Sequence, residues 1–328
     1  MGRSKTFLRV LLPGVALVSL AACAGSGGGT GSPNAGTSAS GLVPAAQFLD
    51  HMSDGKKQKR LKGLYVASYG GNNVDIYSEK AGGGVIGSLT GSFNDPQGIY
   101  INSSGTVYVG DTNNDRILVY ANGSTTATQT LSDNGLPREI TGDSNGTIYA
   151  GNVLQGNVAV YTSGATSPTS YLTVPGAATV LGVAVDANND LYVSYDTQAG
   201  GYGSGQVDEF PAGSTTPTNL GITLVSASGL AIDAKQNLIV CDSADSDPSL
   251  AAVYVFAPGS TKPSLTLSLP NAYPIGVALS PNGKTLFVGE ADKTQVQSFT
   301  YPKLKLHETI PTSGGYPNSI ALYPPAVP

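Results

Sequence analysis

The sequence is poor in the residues that most enzyme sites need, with no tryptophan, two cysteines and two histidines in 328 residues. The histidines, His51 and His307, lie far apart in the chain and predict no histidine cluster for metal binding or acid–base catalysis. The cysteines are Cys23 and Cys241. The chain also contains no Gly-x4-Gly-Lys-Ser/Thr phosphate-binding loop. These absences point away from an ordinary enzyme.

Positive charge is scarce in residues 63–328, which carry nine Lys and Arg against twenty Asp and Glu, a formal net charge of −11. A surface of this sign repels the phosphate backbone, so we expect no nucleic-acid partner. The same charge favours cations and cationic surfaces.

Residues 1–22 have the pattern of an export signal, with a basic head containing Arg3 and Lys5, then an apolar run at 10–20. The run is too short for a retained membrane helix. Leu-Ala-Ala stands directly before Cys23, and this resembles a bacterial lipobox, in which the cysteine is lipidated and becomes the new N-terminus. The alternative is an ordinary signal peptide with an incidental cysteine. With Cys23 lipidated, no disulfide within the chain is possible.

Residues 23–62 follow as a Gly, Ser, Thr, Ala and Pro-rich segment that ends in a small basic cluster. Such a composition buries no core and predicts a flexible tether. We therefore expect an exported protein held on the membrane by its lipid. It would lie in the outer membrane if the host has one, and on the cell surface otherwise.

Residues 63–328 repeat a group of three short strand patterns, seen most clearly at 96–120. The third pattern ends each time in an aromatic residue, and the intervals between these residues are 43, 41, 49, 46 and 43. The aromatic residues are Tyr77, Tyr120, Tyr161, Phe210, Phe256 and Phe299. A period in the forties built from short strands predicts an all-β propeller with six blades of four strands.

The order of the patterns predicts how the ring closes. The first blade begins at Leu64 with its second strand, whereas residues 318–323 form an inner strand with no partner after it. Pairing this C-terminal strand with the first blade removes the open sheet edge that would otherwise remain.

Two stretches resemble known repeats. Residues 96–120 resemble NHL repeats in Asp111, Asn114 and Arg116, for which the resemblance implies a structural role. Residues 274–292 are similar to the repeat of gluconolactonase (regucalcin)-like, or SMP-30-like, and YVTN-type propellers. The lack of tryptophan excludes WD repeats. Six blades is the number that the NHL and gluconolactonase-like resemblance implies.

In such a blade, the loop into the inner strand and the loop after the second strand lie at the same end of the channel. Oxygen-bearing side chains at these positions predict a divalent cation site, with Ca²⁺ as the candidate. Its candidate ligands at the channel mouth are Asp111, Asp242, Glu290 and Asn318, while Asp242, Asp245 and Asp247 form a separate candidate Ca²⁺ loop in blade five, or else an acidic solvated turn. The alternative is that these side chains cap the turns where the strands end.

The resemblance to gluconolactonases implies a metal held in part by an Asn from a Pro-Asn-Gly loop. Only Pro317-Asn318-Ser319 keeps that Asn, and the Gly is lost. A metal-dependent lactonase-like hydrolase at the channel mouth therefore stays as the alternative function.

Two loops are longer than the repeat requires, one after Tyr195 and one containing Asp245 and Asp247. Loops that exceed a repeat often carry binding functions. The candidate ligand-binding residues are Tyr195, Asp196, Tyr202, Gln97 and Arg138. We interpret the chain as a monomeric binding or protein-interaction module for a protein or carbohydrate ligand, with its contact surface on the face of the blade four and five loops.

Overall fold

Six antiparallel sheets of four strands form the part of the protein that the computed structural model describes, which is residues 62–79, 83–198 and 204–326. The export signal, Cys23, the tether up to residue 61 and Tyr202 lie outside these residues. The inner strands, which line the central channel, are β24 (Tyr316–Tyr323), β4 (Pro96–Ile101), β8 (Pro137–Gly142), β12 (Thr179–Val185), β16 (Ala227–Ile232) and β20 (Pro274–Leu279).

Each inner strand pairs with a second strand, and a third and an outer strand follow. The second strands are β1 (Gly63–Tyr69), β5 (Val107–Asp111), β9 (Ile148–Asn152), β13 (Leu191–Asp196), β17 (Leu238–Asp242) and β21 (Thr285–Glu290). The third strands are β2 (Asn73–Tyr77), β6 (Arg116–Tyr120), β10 (Asn157–Tyr161), β14 (Gly205–Phe210), β18 (Ala252–Phe256) and β22 (Gln295–Thr300). The outer strands are β3 (Val85–Leu89), β7 (Gln129–Ser132), β11 (Ser170–Thr173), β15 (Thr218–Leu224), β19 (Pro263–Ser268) and β23 (Lys305–Pro311).

Blade 1 is the sheet β24-β1-β2-β3, and blades 2 to 6 follow in chain order from β4 to β23. Short 3-10 turns follow the second strand in three blades, at Thr112–Asn114, Pro248–Leu250 and Ala291–Lys293. The predicted six-bladed, all-β architecture is confirmed.

Ring closure occurs in blade 1, as the order of the patterns predicted. β24 pairs antiparallel with β1 from Gly63 opposite Tyr323 to Tyr69 opposite Tyr316, with one register shift between Ala67 and Ser68. Both strands are rich in Val, Ile, Leu and Tyr, and β1 is almost wholly buried. The two ends of the domain are therefore held in one sheet, which leaves no unpaired inner edge.

The core lies between blades rather than within one central mass. Each of the six clusters of buried apolar side chains draws its members from two neighbouring blades. Between blades 1 and 2, for example, Ile76 packs with Ile99 and Tyr120. Alternate residues of each strand face the two neighbouring blades, which is why the strands are apolar on both sides.

Glycine lets the inner strands approach one another closely. A Cβ placed on Gly98 would lie 2.2 Å from the carbonyl oxygen of Arg138 on the next inner strand. A Cβ on Gly229 would lie 2.5 Å from the carbonyl oxygen of Ile275. Both distances are too short for any residue with a side chain, so the closeness of the ring depends on glycine here.

Among residues 62–79, 83–198 and 204–326, no helical segment has the length and apolar character needed to cross a membrane.

Candidate functional site

The candidate site lies on the face where the inner strands begin and the second strands end, which we call the mouth face. Backbone hydrogen bonds join the two kinds of loop in several blades. The amide of Val153 donates to the carbonyl of Leu136, and that of Ser243 donates to the carbonyl of Ser226. The loops that the sequence assigned to one face therefore do lie together.

Asp111 holds the entry loop of its own blade. Its Oδ1 accepts a hydrogen bond from the amide of Asn94 at 2.7 Å. Its Oδ2 accepts from Asn114 Nδ2 at 2.9 Å and from Arg116 Nε at 2.6 Å. Both carboxylate oxygens are thus used within blade 2, in the structural role that the NHL resemblance implies.

Asp242 has the same role in blade 5. Its Oδ2 accepts from the amide of Val225 at 3.0 Å, and its Oδ1 accepts from the amides of Ser226 at 2.9 Å and Ala244 at 3.1 Å. Burial raises the pKa of Asp242, and the three amide bonds oppose that rise. A carboxylate with three backbone donors is a turn cap.

Glu290 ends β21 and is fully buried. Its Oε2 accepts from Gln295 Nε2 at 2.8 Å and lies 3.7 Å from Lys293 Nζ. Its Oε1 has no hydrogen-bond partner. Burial raises the pKa of Glu290 despite these neighbours.

The remaining predicted metal ligands bind close neighbours. Asn318 Nδ2 donates to Gln97 Oε1 at 3.3 Å. Asp247 caps the 3-10 turn that follows it and accepts from Ser249 Oγ at 2.6 Å. No group of three or more His, Cys, Asp or Glu side chains is arranged to hold a metal ion within the described ranges.

The structure does bring together three of the predicted carboxylates where blades 4 and 5 meet. Ser226 Oγ donates to Asp196 Oδ2 at 2.8 Å and lies 3.4 Å from Asp245 Oδ2. The amide of Ala227 donates to Asp196 Oδ1 at 3.0 Å, and the amide of Ser226 binds Asp242. We call Asp196, Ser226, Asp242 and Asp245 the Ser226 cluster.

Asp196 is the most perturbed carboxyl of this cluster. Burial raises its pKa to about 7, the negative charge of Asp245 adds to the rise, and its two hydrogen bonds and Arg138 oppose it. The ionised form of Asp196 is therefore costly near neutral pH, and a positive charge brought next to it would favour that form.

Tyr195 is placed differently from the expectation that it faces a ligand. Its side chain is buried inside blade 4, where its hydroxyl lies 3.1 Å from each of two acceptors, Gln206 Oε1 and Asp208 Oδ1, and donates its one proton between them. It also accepts from Asn219 Nδ2 at 3.2 Å. The reason is that β13 continues through Asp196, so Tyr195 still belongs to the strand and points into the sheet packing.

Arg138 lies at the channel entrance on β8 of blade 3. Its charge opposes the burial that raises the pKa of Asp196 on blade 4 and of Tyr69 on blade 1. Its Nε is buried and has no hydrogen-bond partner. The charge of Arg138 thus acts on residues of blades 1 and 4, as expected for a side chain that extends across the channel entrance.

Glu139, directly after Arg138, is a site residue that the sequence interpretation missed. Ser319 Oγ, on blade 1, donates to Glu139 Oε1 at 2.7 Å. Burial, followed by the charges of Asp242 and Glu139, raises the pKa of the Cys241 thiol on blade 5. Blades 1, 3 and 5 alternate around the ring, so the Glu139 carboxyl lies near the channel axis.

Burial raises the pKa of Glu139 to about 8, against the hydrogen bond from Ser319 and the charge of Arg138. A signal for this residue was present in the sequence. The third residue of the other inner-strand patterns is Gly98, Gly182, Gly229, Gly276 or Ser319. The other five blades have Gly or Ser at this position, so a glutamate here indicates a role other than the packing of the inner strands.

Comparisons with known proteins agree with this architecture. The NHL repeat family model matches residues 93–120. No curated protein matches the chain.

Solved structures share the fold at low sequence identity. A nidogen/laminin complex chain has a TM-score of 0.63 at 16% identity, covering 78% of this chain and 96% of its own. Hydrazine synthase of Kuenenia stuttgartiensis has a TM-score of 0.57 at 15% identity, covering 81% of this chain and 91% of its own. A streptogramin B lyase has a TM-score of 0.51 at 13% identity, covering 68% of this chain and 70% of its own. The chain is thus a six-bladed β-propeller that contains an NHL repeat.

Proposed function

We propose that this protein is a lipid-anchored, extracytoplasmic binding module whose mouth face binds a positively charged segment of a partner protein. The fold and the NHL repeat are consistent with a protein-interaction module. The observation that carries the choice of partner is the contact of Asp196 and Asp245 with one hydroxyl, that of Ser226. The two carboxylates of neighbouring blades thereby lie side by side on the mouth face.

The charge of this cluster selects a cationic group. Burial raises the pKa of Asp196 to about 7, and the negative charge of Asp245 adds to the rise. A lysine or arginine of the partner restores the missing counter-charge. The net charge of −11 in residues 63–328 adds a long-range attraction for basic partners.

Apolar residues on the mouth face supply contact area around the charged cluster. Leu154, Leu250 and Tyr316 are exposed by 56%, 52% and 46%, and all three lie on or beside mouth-face loops. Tyr316 also stacks with Tyr69, with ring centroids 6.4 Å apart. Exposed aromatic and aliphatic side chains beside charged groups are typical of protein interfaces.

The membrane anchor belongs to the same proposal. A lipid on Cys23 and a tether of about forty residues (23–62) would hold the propeller at the membrane and let its mouth face reach a partner there. Mass spectrometry of the N-terminal peptide tests this, because Cys23→Ser should remove the acyl mass and release the protein from the membrane fraction. An unacylated wild-type peptide that begins at another residue would contradict it.

The metal-dependent hydrolase remains the alternative that the sequence raised. Asp111 and Asp242 use both of their carboxylate oxygens for hydrogen bonds within their own blades. No contact among the described residues favours the hydrolase over the binding module.

Calorimetric titration with short peptides tests the binding proposal. We expect a Lys/Arg-rich peptide to bind saturably, and a Glu-rich or neutral peptide of equal length not to. Asp196→Asn should weaken binding by about five- to tenfold, because the charge of the buried Asp196 acts on a cation held at the half-buried Asp245. The matched control is Asp292→Asn, because Asp292 is an exposed mouth-face carboxylate in the turn after β21.

The pH dependence of the affinity for the basic peptide gives a second test. The ionised form of Asp196 attracts the cation, so affinity should rise from pH 6 to pH 8 in the wild type and rise less in Asp196→Asn. Equal binding of basic and acidic peptides, or an unchanged affinity in Asp196→Asn, would contradict the proposal. Saturable binding of neutral oligosaccharides instead would indicate a carbohydrate ligand.

A further inference from the structure

A pocket of about 320 Å³ lies on the side of the ring opposite the mouth face. Its walls come from the turn between β20 and β21, from β22 and β23 of blade 6, and from Glu79 of blade 1. Because this turn lies at the other end of the strands from the mouth-face loops, the pocket is separate from the Ser226 cluster. Its volume lies at the lower end of the range for small-molecule sites.

Ser298 on β22 lines this pocket and is 1% exposed. Its Oγ has no hydrogen-bond partner. A buried hydroxyl without a partner costs free energy, and such groups are uncommon in folded proteins. In a pocket, a bound molecule that donates or accepts a hydrogen bond would remove that cost.

The pocket also carries two carboxylates from different blades. Glu79 follows β2 in blade 1, and Glu308 lies on β23 in blade 6. Burial raises the pKa of Glu79, and Lys62 opposes that rise. His307, Ser280 and Thr285 add further polar groups, while the buried ring of Phe287 forms an apolar wall. Negative charge, hydroxyls and a small volume together favour a compact, positively charged ligand.

We propose that this pocket binds a small organic ammonium ion, such as an amino alcohol or a short diamine. In this arrangement the ammonium group lies between Glu79 and Glu308, and Ser298 Oγ accepts one of its N–H bonds. The three donors of a primary ammonium match one hydroxyl and two carboxylates. The site is independent of the partner proposed for the mouth face.

Calorimetry and ligand-observed NMR with simple probes test the proposal on the full-length protein. The probes are ethanolamine and 1,4-diaminobutane, and their uncharged counterparts are ethylene glycol and 1,4-butanediol. For ligands of this size we expect dissociation constants of about 0.1 to 10 mM for the amines. The diols should bind at least tenfold more weakly, because they lack the charge.

Variants locate the binding. Glu308→Gln should weaken amine binding about tenfold and Ser298→Ala about fivefold, the usual size of a lost charged or neutral hydrogen bond. Glu209→Gln on β14 is the matched control outside the pocket, and it should leave amine binding unchanged. Weaker amine binding in the pocket variants alone would place the site in the pocket rather than on the mouth face.

Ser298→Ala should fold normally, because it removes a hydroxyl that has no partner. If Glu308→Gln fails to fold, Glu79→Gln serves in its place. Three results would overturn the proposal: no saturable amine binding, equal binding of diols and amines, or full binding in both Ser298→Ala and the glutamine variant.

Discussion

Glu139→Gln should make the protein more stable at alkaline pH and leave its stability nearly unchanged at pH 5. The folded state raises the pKa of Glu139 from 4.5 to about 8, mainly by burial. As the pH rises through this window, the unfolded chain releases the proton first, so ionisation favours unfolding. The free energy of unfolding that Glu139 contributes is therefore intact in acid and lost between about pH 4.5 and pH 8.

The size of the effect follows from the shift. At about 1.4 kcal/mol per pKa unit, a rise from 4.5 to about 8 corresponds to about 4 to 5 kcal/mol at most. The Glu139 side chain is partly exposed, which we attribute to the channel, and solvent screening lowers this value. We expect the stability difference between Glu139→Gln and the wild type to change by about 2 to 4 kcal/mol between pH 5 and pH 8.5.

Glutamine is the right replacement because it keeps the shape and the acceptor. Its amide oxygen can still accept from Ser319 Oγ, which donates to Glu139 Oε1 at 2.7 Å. Near pH 5 the two proteins should therefore agree within about 1 kcal/mol. Other buried carboxyls such as Asp196 titrate in both proteins, so the difference between the two isolates Glu139.

Urea titration at pH 5 and at pH 8.5 measures the effect. Tyrosine fluorescence can serve as the probe, because the chain has 17 tyrosines and no tryptophan. Asp292→Asn is the control, because it removes a carboxylate that is exposed rather than buried. A stability difference for Glu139→Gln that does not depend on pH would refute the axial, buried position of this carboxyl.

The same titration checks three further outcomes. Asp111→Ala should lower the free energy of unfolding by about 3 kcal/mol, because it removes three hydrogen bonds and leaves Arg116 without its carboxylate; a loss below about 0.5 kcal/mol would contradict the capping role. Gly98→Ala should cost about 3 kcal/mol or more, since its Cβ would lie 2.2 Å from a carbonyl oxygen, whereas Gly84→Ala meets nothing within 4 Å and should cost under about 1 kcal/mol. Deleting residues 314–328 removes β24 and should abolish the cooperative transition, so a stable truncated protein would argue against closure by this strand.

Most of the fold could be predicted because each blade repeats the same local constraints. The inner, second and third strands are apolar on both faces, which makes them visible as runs of Val, Ile, Leu and Tyr. The outer strands were not located, because they face solvent on one side. In β7 only Leu131 is buried, so Gln129–Ser132 carries almost no apolar pattern.

The candidate site was predicted in part. The channel-mouth positions of Gln97, Arg138 and Asn318 follow from the repeat alone. The repeat does not predict which side chains contact one another, because these contacts depend on which blade each carboxyl reaches. Asp111, Asp196 and Asp242 look alike in the sequence. Only Asp196 binds the next blade, where it accepts hydrogen bonds from Ser226 Oγ and from the amide of Ala227.

The pairing register explains why Asp196 differs. In blade 2 the residue opposite Pro96 is Asp111, whereas Val180 at the matching place in blade 4 pairs with Tyr195. One extra residue therefore moves the carboxyl of Asp196 beyond the position of a self-capping aspartate. Because successive residues of a strand face opposite sides, this shift turns Tyr195 into the sheet packing and directs Asp196 to blade 5.

Departures from the repeat thus explain the two carboxyls of the mouth and channel whose pKa values are raised most, Asp196 and Glu139. Asp196 arises from an added residue, and Glu139 arises from a large side chain where the ring otherwise holds Gly or Ser. Each places a carboxyl against a different blade, where burial raises its pKa to about 7 and about 8 respectively. Neither change is needed for the inner strands to pack together, since blades 2 and 6 have Gly98 and Gly276 at this position and their second strands end at the residue paired with Pro96 or Pro274. Asp196 and Glu139 both cost stability and neither is needed for the ring to form. We therefore expect that ligand binding accounts for their presence.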